Sequence, residues 1–208
     1  MDLQKIESEL KKRLIYPYKW GRKQSNSWDR DTNFIYQTDN FQELEEIING
    51  FNPGLKNYTL NRWYNFWSAK AVEFIFATHE NVMPHKDQYD KLVDFSINGV
   101  QFDHKTSNFP KKLDFDYYFQ NKKELIEWLY KNQSQQGRKH LKNRLFLVLY
   151  NNNPDDHWEL KADIPLLKSF IDKYILDFSE NKLVELNFGN GEVLSDIIWV
   201  KKSILRLK

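Results

Sequence analysis

Lys91-Leu92-Val93-Asp94-Phe95-Ser96-Ile97-Asn98-Gly99-Val100-Gln101-Phe102-Asp103-His104-Lys105-Thr106 is the stretch whose reading decides the fold. Asn-Gly between two alternating runs is the strongest short-range hairpin signal, because both turn residues must take positive φ. A two-residue turn pairs Ile97 with Val100, Ser96 with Gln101, Phe95 with Phe102 and Asp94 with Asp103. Side chains alternate along a strand, so Val93, Phe95, Ile97, Val100 and Phe102 share one face with His104. Asp94, Ser96, Gln101, Asp103 and Lys105 share the other with Leu92. The sorting predicts one buried and one polar face, and makes His104 a core or interface residue rather than a ligand.

The polar face carries the chemistry. Directly opposed, Asp94 and Asp103 would hold their Cβ atoms roughly 4.5–5.5 Å apart, a repulsive arrangement unless water, a shared proton or a cation offsets it. Oxygen ligands converging from two strands suit Mg²⁺, which keeps waters and substrate phosphate as its remaining ligands. Lys105 lies two residues past Asp103, roughly 7 Å along the strand, where a compact ammonium can orient an attacking water. A third acid, Glu73, sits in the apolar run Ala71-Val72-Glu73-Phe74-Ile75-Phe76, with Ala69 and Ala77 one turn away on either side. Small neighbours on its own stripe suggest a carboxylate aimed inward; a surface pair with Lys70 is the competing reading.

Working outward, Asp2 to Leu14 and Asn40 to Ile48 read as amphipathic helices, the latter ended by Gly50 and a turn at Asn52-Pro53-Gly54. Asn61 to His79 reads as a long apolar helix and Val82 to Lys86 as a short strand. After a looser stretch to Phe119 come a helix, Lys122 to Ser134, and a buried strand, Arg144 to Tyr150. Ile164 to Phe178 is a further helix, and Leu183–Phe188 with Val193–Val200 a second hairpin. The fold class expected is α/β (α+β): a mixed central sheet flanked by helices. It divides into an N-terminal helical and basic-aromatic region (1–60), a core (61–150) and a C-terminal helix-plus-hairpin extension (151–208), packed as one compact domain.

A helix glutamate, an aspartate on one hairpin strand, (Asp/Glu)-x-Lys on the other, then helix and strand: from Asn61 to Tyr150 this order resembles the PD-(D/E)XK nuclease superfamily. The resemblance implies a restriction-endonuclease-like core. It matches Asp94 to the family's first aspartate, Asp103-His104-Lys105 to its (D/E)XK element and Glu73 to the acid on the preceding helix. Val93 stands where the family's proline would be. Acid-x-Lys recurs at Glu9-Leu10-Lys11, Glu159-Leu160-Lys161 and Glu180-Asn181-Lys182, so the hairpin context carries the match rather than the tripeptide. Members bind Mg²⁺ (or Mn²⁺) and hydrolyse DNA phosphodiesters, which implies Glu73, Asp94, Asp103 and Lys105 as catalytic residues, the three acids holding the metal. The alternative is a catalytically silent nuclease-fold module that binds nucleic acid or a protein.

Composition bounds these expectations. Hydrophobic residues at 40% supply a core, and zero cysteines exclude disulfides, thiolate zinc sites and cysteine nucleophiles. The histidines form no HxxxH or HxH spacing. A net charge of +2 is too small to imply nucleic acid, but the cations cluster. Lys131, Arg138, Lys139, Lys142 and Arg144 form one basic stretch, Lys11 to Lys23 interleaves with Tyr16, Tyr18 and Trp20, and Lys201, Lys202, Arg206 and Lys208 lie near the end. Such clusters suit a phosphate backbone, or are ordinary solvated faces. Gln135, Arg138 and Lys139 are the candidate nucleic-acid contacts, against a helix cap at Gly137 and a solvated loop. Trp20, Trp28 and Trp63 suit core packing better than base stacking. No apolar run is long enough to span a bilayer, and the first residues lack the apolar segment of a secretory signal, so a cytoplasmic protein is expected; the resemblance implies DNA as partner and leaves a homodimer open.

Overall fold

Asn98 and Gly99 both take positive φ, 49° and 89°, as a type I′ turn requires. From that turn β2 (Phe95–Ile97) and β3 (Val100–Asn108) run antiparallel in the expected register, Ile97 against Val100 and Phe95 against Phe102. The computed structural model describes residues 1–20, 26–85, 93–132, 142–189 and 191–202. β1 (Val82–Pro84) pairs antiparallel on the outer side of β2. β4 (Arg144–Tyr150) lies parallel to β3, and β6 (Glu192–Lys201) parallel to β4. β5 (Val184–Asn187) closes the far edge antiparallel to β6. The result is a mixed α/β architecture on a six-stranded sheet ordered β1-β2-β3-β4-β6-β5.

Helices cover both faces. α1 (Leu3–Lys12), α3 (Phe41–Ile48), α4 (Pro53–Ala77) and α7 (Ile164–Leu176) join one apolar core through Leu10, Leu44, Ile75 and Ile171. α5 (Phe115–Gln120) and α6 (Lys122–Asn132) build a second around Phe115, Leu125 and Leu129. The alternation of β4 explains its unbroken apolar sequence: Leu145, Leu147 and Leu149 enter the first core, Phe146 and Val148 the second. The first core draws on all three stretches of the chain. The C-terminal hairpin extends the sheet itself, pairing from Arg144↔Ser195 to Tyr150↔Lys201.

Several boundaries differ from expectation. Pro53 and Gly54 open α4, a helix of 25 residues, instead of forming a turn: Asn52 accepts from Leu55 N–H at 3.0 Å and caps it. Proline at the first helical position lacks only an N–H that has no partner there. α5 emerges from the stretch read as loose, capped by Asp114, which accepts from Tyr117 N–H at 2.7 Å. Pro154–Ala162 winds as 3₁₀ helix behind the cap of Asn153. A short helix, α2 (Asn26–Asp31), follows the first basic stretch. Among the described residues no helix is long and apolar enough to cross a membrane.

Two residues, one inside a stretch read for charge and one weighed for stacking, prove internal. Arg13, of the basic-aromatic stretch, is fully buried and faces Tyr18, Tyr64 and Trp158. It is therefore withdrawn from any phosphate-binding surface. Trp63 is buried as expected and donates Nε1–H to Thr38 O at 2.6 Å.

Buried His157 makes stability depend on pH. Asn151 N–H donates to its Nδ1 at 2.8 Å, an acceptor role that requires the neutral ring. Burial, aided by Lys111, holds its pKa below the ordinary value. The unfolded chain takes up the proton near pH ~6.5, while the folded chain resists it to lower pH. Over that window the unfolded state binds more protons, so stability falls as pH drops. Thermal melts from pH 8 to 5 are expected to show a declining midpoint below about 6.5, and His157→Gln, which keeps an acceptor without titrating, to flatten that decline. An unchanged decline in the variant assigns it to other groups.

Candidate metal centre

Phe76 of α4 stacks on Phe95 of β2 at 4.4 Å, and Phe95 stacks on the His104 ring at 6.0 Å. This aromatic column docks α4 on the hairpin. Glu73, one turn before Phe76 on the same helix face, is thereby carried to the start of β2, where Asp94 lies.

Asp94 leaves the regular ladder. Its N–H donates to Phe102 O at 2.9 Å, although Phe102 is already the partner of Phe95. Two residues facing one is the geometry of a β-bulge, which re-aims a side chain. Asp94 therefore turns toward the face that carries Phe95 and His104. Its Oδ2 accepts from His104 backbone N–H at 2.7 Å and meets His104 Nδ1 at 3.0 Å. Burial pushes the Asp94 carboxyl up, but the His104 bonds, with Lys105 nearby, outweigh it and hold the pKa below the usual value.

The expected sharing of one polar face by Asp94 and Asp103 is corrected accordingly. Asp103 is buried on the opposite face, ion-paired with Lys105 Nζ at 2.5 Å and Arg144 Nε at 3.4 Å. The Arg144 contact is an ion pair without hydrogen-bond alignment, since that Nε has no hydrogen-bond partner. The Arg144 guanidinium covers the Tyr130 ring at 4.9 Å, and Tyr130 packs against the second core. The Tyr130 hydroxyl bonds Lys142 O at 2.6 Å and Ser195 Oγ at 2.7 Å; burial pushes its pKa up to about 12. Lys105 remains nearly half exposed.

The structure thus brings Glu73, Asp94 and His104 together, each offering one ligand atom, all within 4.8 Å of one another. Both readings of Glu73 hold at once: it joins this cluster and pairs with Lys70 Nζ at 2.7 Å. A cavity of about 280 Å³ adjoins the two carboxylates, with Lys70, Glu73, Phe74, His85, Asp94 and Phe95 in its walls. Two carboxylates and an imidazole beside a cavity are a donor set that fits one divalent ion with open positions.

His104 is buried, as its place on the apolar face implies, but sequence reading does not place it against Asp94, and it takes Arg144 only as one cation of a basic stretch. Their signals were present: His104 is the one polar residue on an apolar face, and Arg144 is a charge heading a buried strand. Gln135, Arg138 and Lys139, the candidate nucleic-acid contacts, lie outside the described residues. No family model matches this chain, and no curated protein or solved structure compared with it gives a match.

Proposed function

We propose that the chain is a divalent-metal-dependent nuclease that hydrolyses phosphodiesters in DNA, built on a restriction-endonuclease-like core. The convergence of Glu73, Asp94 and His104 within 4.8 Å, beside the strand that carries Asp103-His104-Lys105, is the observation that carries the reading. The chain order supports it: helix α4, three antiparallel strands, helix α6 with the short α5 before it, then β4 parallel to β3. That is the order in which the resembling superfamily lays out its core.

In this reading Glu73 and Asp94 hold the ion, which when bound stabilises charge on the phosphate and leaving oxygens. Lys105 starts from the Asp103 face, but it is nearly half exposed and close enough to Asp94 to help lower that carboxyl's pKa, which leaves its ammonium able to orient the attacking water. Asp103, committed to Lys105 and Arg144, anchors that lysine. The test is incubation with plasmid, linear and branched DNA in Mg²⁺, Mn²⁺ or EDTA. Cleavage with metal and none with EDTA is expected. No cleavage of any substrate with either ion overturns catalysis and leaves a nuclease-like binding module as the function.

A further inference from the structure

His104 occupies a position that strand alternation assigns to the core, and its ring is only 5% exposed. An imidazole there is costly unless its nitrogens have a use. We propose that His104 is itself a metal ligand, and that the Glu73–Asp94–His104 centre takes a first-row transition ion such as Mn²⁺ in preference to Mg²⁺. The proposal rests on the preceding reading only for the two carboxylates.

The geometry is already close to that of a metal centre. Adjacent ligands at right angles, each about 2.1 Å from an ion, lie about 3.0 Å apart. His104 Nδ1 and Asp94 Oδ2 are 3.0 Å apart, joined by a hydrogen bond whose proton passes to solvent when an ion takes its place. Both are held there: the ring by its stack on Phe95, the carboxylate by the His104 backbone N–H. Glu73, about one-third exposed and ion-paired with Lys70, itself nearly half exposed, supplies the third donor by a small side-chain adjustment.

Donor chemistry then sets the ion. Mg²⁺ is a hard cation that takes oxygen ligands almost exclusively. Imidazole shifts a site toward first-row transition ions. Asp103 is the acid whose addition would restore an all-oxygen set, and it faces the other side of the sheet, neutralised by Lys105 and Arg144. The bulge at Asp94 therefore exchanges a carboxylate partner for an imidazole one. The adjoining cavity leaves room for waters and a phosphate oxygen at the remaining positions.

The wild-type protein tests this with Mn²⁺ alone as probe. Electron spin-echo measurement of the bound ion is expected to show nitrogen coupling from a directly bound imidazole. Calorimetric titration is expected to give Mn²⁺ binding at least about tenfold tighter than Mg²⁺ binding. His104→Gln is expected to weaken Mn²⁺ by about tenfold or more and Mg²⁺ by less than about threefold, collapsing the preference. The spin-echo result needs no variant, so a misfolded His104→Gln leaves the test intact. Mn²⁺ bound without nitrogen coupling overturns the proposal while sparing the nuclease reading. Nitrogen coupling without DNA cleavage upholds it while sinking that reading. Absence of any bound ion overturns both.

Discussion

Arg13→Leu lowers the stability of the fold by about 3 kcal/mol or more. The guanidinium donates to Tyr16 O at 2.6 Å, Pro17 O at 3.2 Å and Asn61 Oδ1 at 2.6 Å. Asn61 in turn donates to Lys19 O at 2.7 Å, so one buried cation ties residues 16–19 to α4. Its charge is compensated by the faces of Tyr18, Tyr64 and Trp158, at 5.9, 5.8 and 5.2 Å. Burial still lowers its pKa, which shows that desolvation is only partly offset. Leucine removes that cost, but it strands the buried Asn61 Oδ1 and takes the donor from the part-buried Tyr16 and Pro17 carbonyls, and the lost hydrogen bonds dominate. Arg13→Lys recovers only part of the loss, because one ammonium cannot reproduce the planar fork. Urea denaturation of the three proteins checks this. Variants within about 0.5 kcal/mol of wild type, the range of ordinary surface substitutions, would mean that the site refills with water at no cost.

Arg13 also marks where sequence reading stops. It stands in a run of cations and aromatics that reads as a surface, and only the tertiary packing of Tyr18, Tyr64 and Trp158 around it buries it. Arg144 stands in a second such run, and only the parallel pairing Asp103↔Arg144 gives it a partner. Local chemistry was legible. Asn98-Gly99 specifies its own turn, and the hairpin register follows from it; the apolar run of β4 announces burial on both faces. α4 was legible in its apolar C-terminal half, yet its first two turns hid behind Pro53-Gly54, which spells a turn unless Asn52 caps a helix. The site was legible as an inventory, Glu73, Asp94, Asp103 and Lys105, but not as a partition. Alternation alone puts Asp94 beside Asp103. The bulge depends on Phe95 seating against Phe76, a contact between elements distant in sequence that no periodicity encodes.

That partition gives the largest functional effect. Asp94→Asn is expected to abolish divalent-ion binding and to lower DNA cleavage by about a thousandfold, the several kcal/mol that a catalytic ion supplies. The fold should survive, since asparagine keeps an oxygen to accept from the His104 N–H. Asp103→Asn should behave differently. Its carboxylate is no member of the Glu73–Asp94–His104 group, so ion affinity is expected to stay within about threefold of wild type, a change of under 1 kcal/mol. Stability is instead expected to fall by about 1–3 kcal/mol, because Arg144, about one-tenth exposed, loses its counter-charge. Cleavage should fall about tenfold, about 1.4 kcal/mol in the barrier, as Lys105 loses the partner that orders its side chain. Calorimetric Mn²⁺ and Mg²⁺ titration, thermal melting and plasmid nicking of each variant separate these outcomes. If Asp103→Asn loses the ion as completely as Asp94→Asn, then Asp103 is a ligand. The ion would in that case draw the two carboxylates together against the bulge, and the repulsion between them would be what keeps them apart without it.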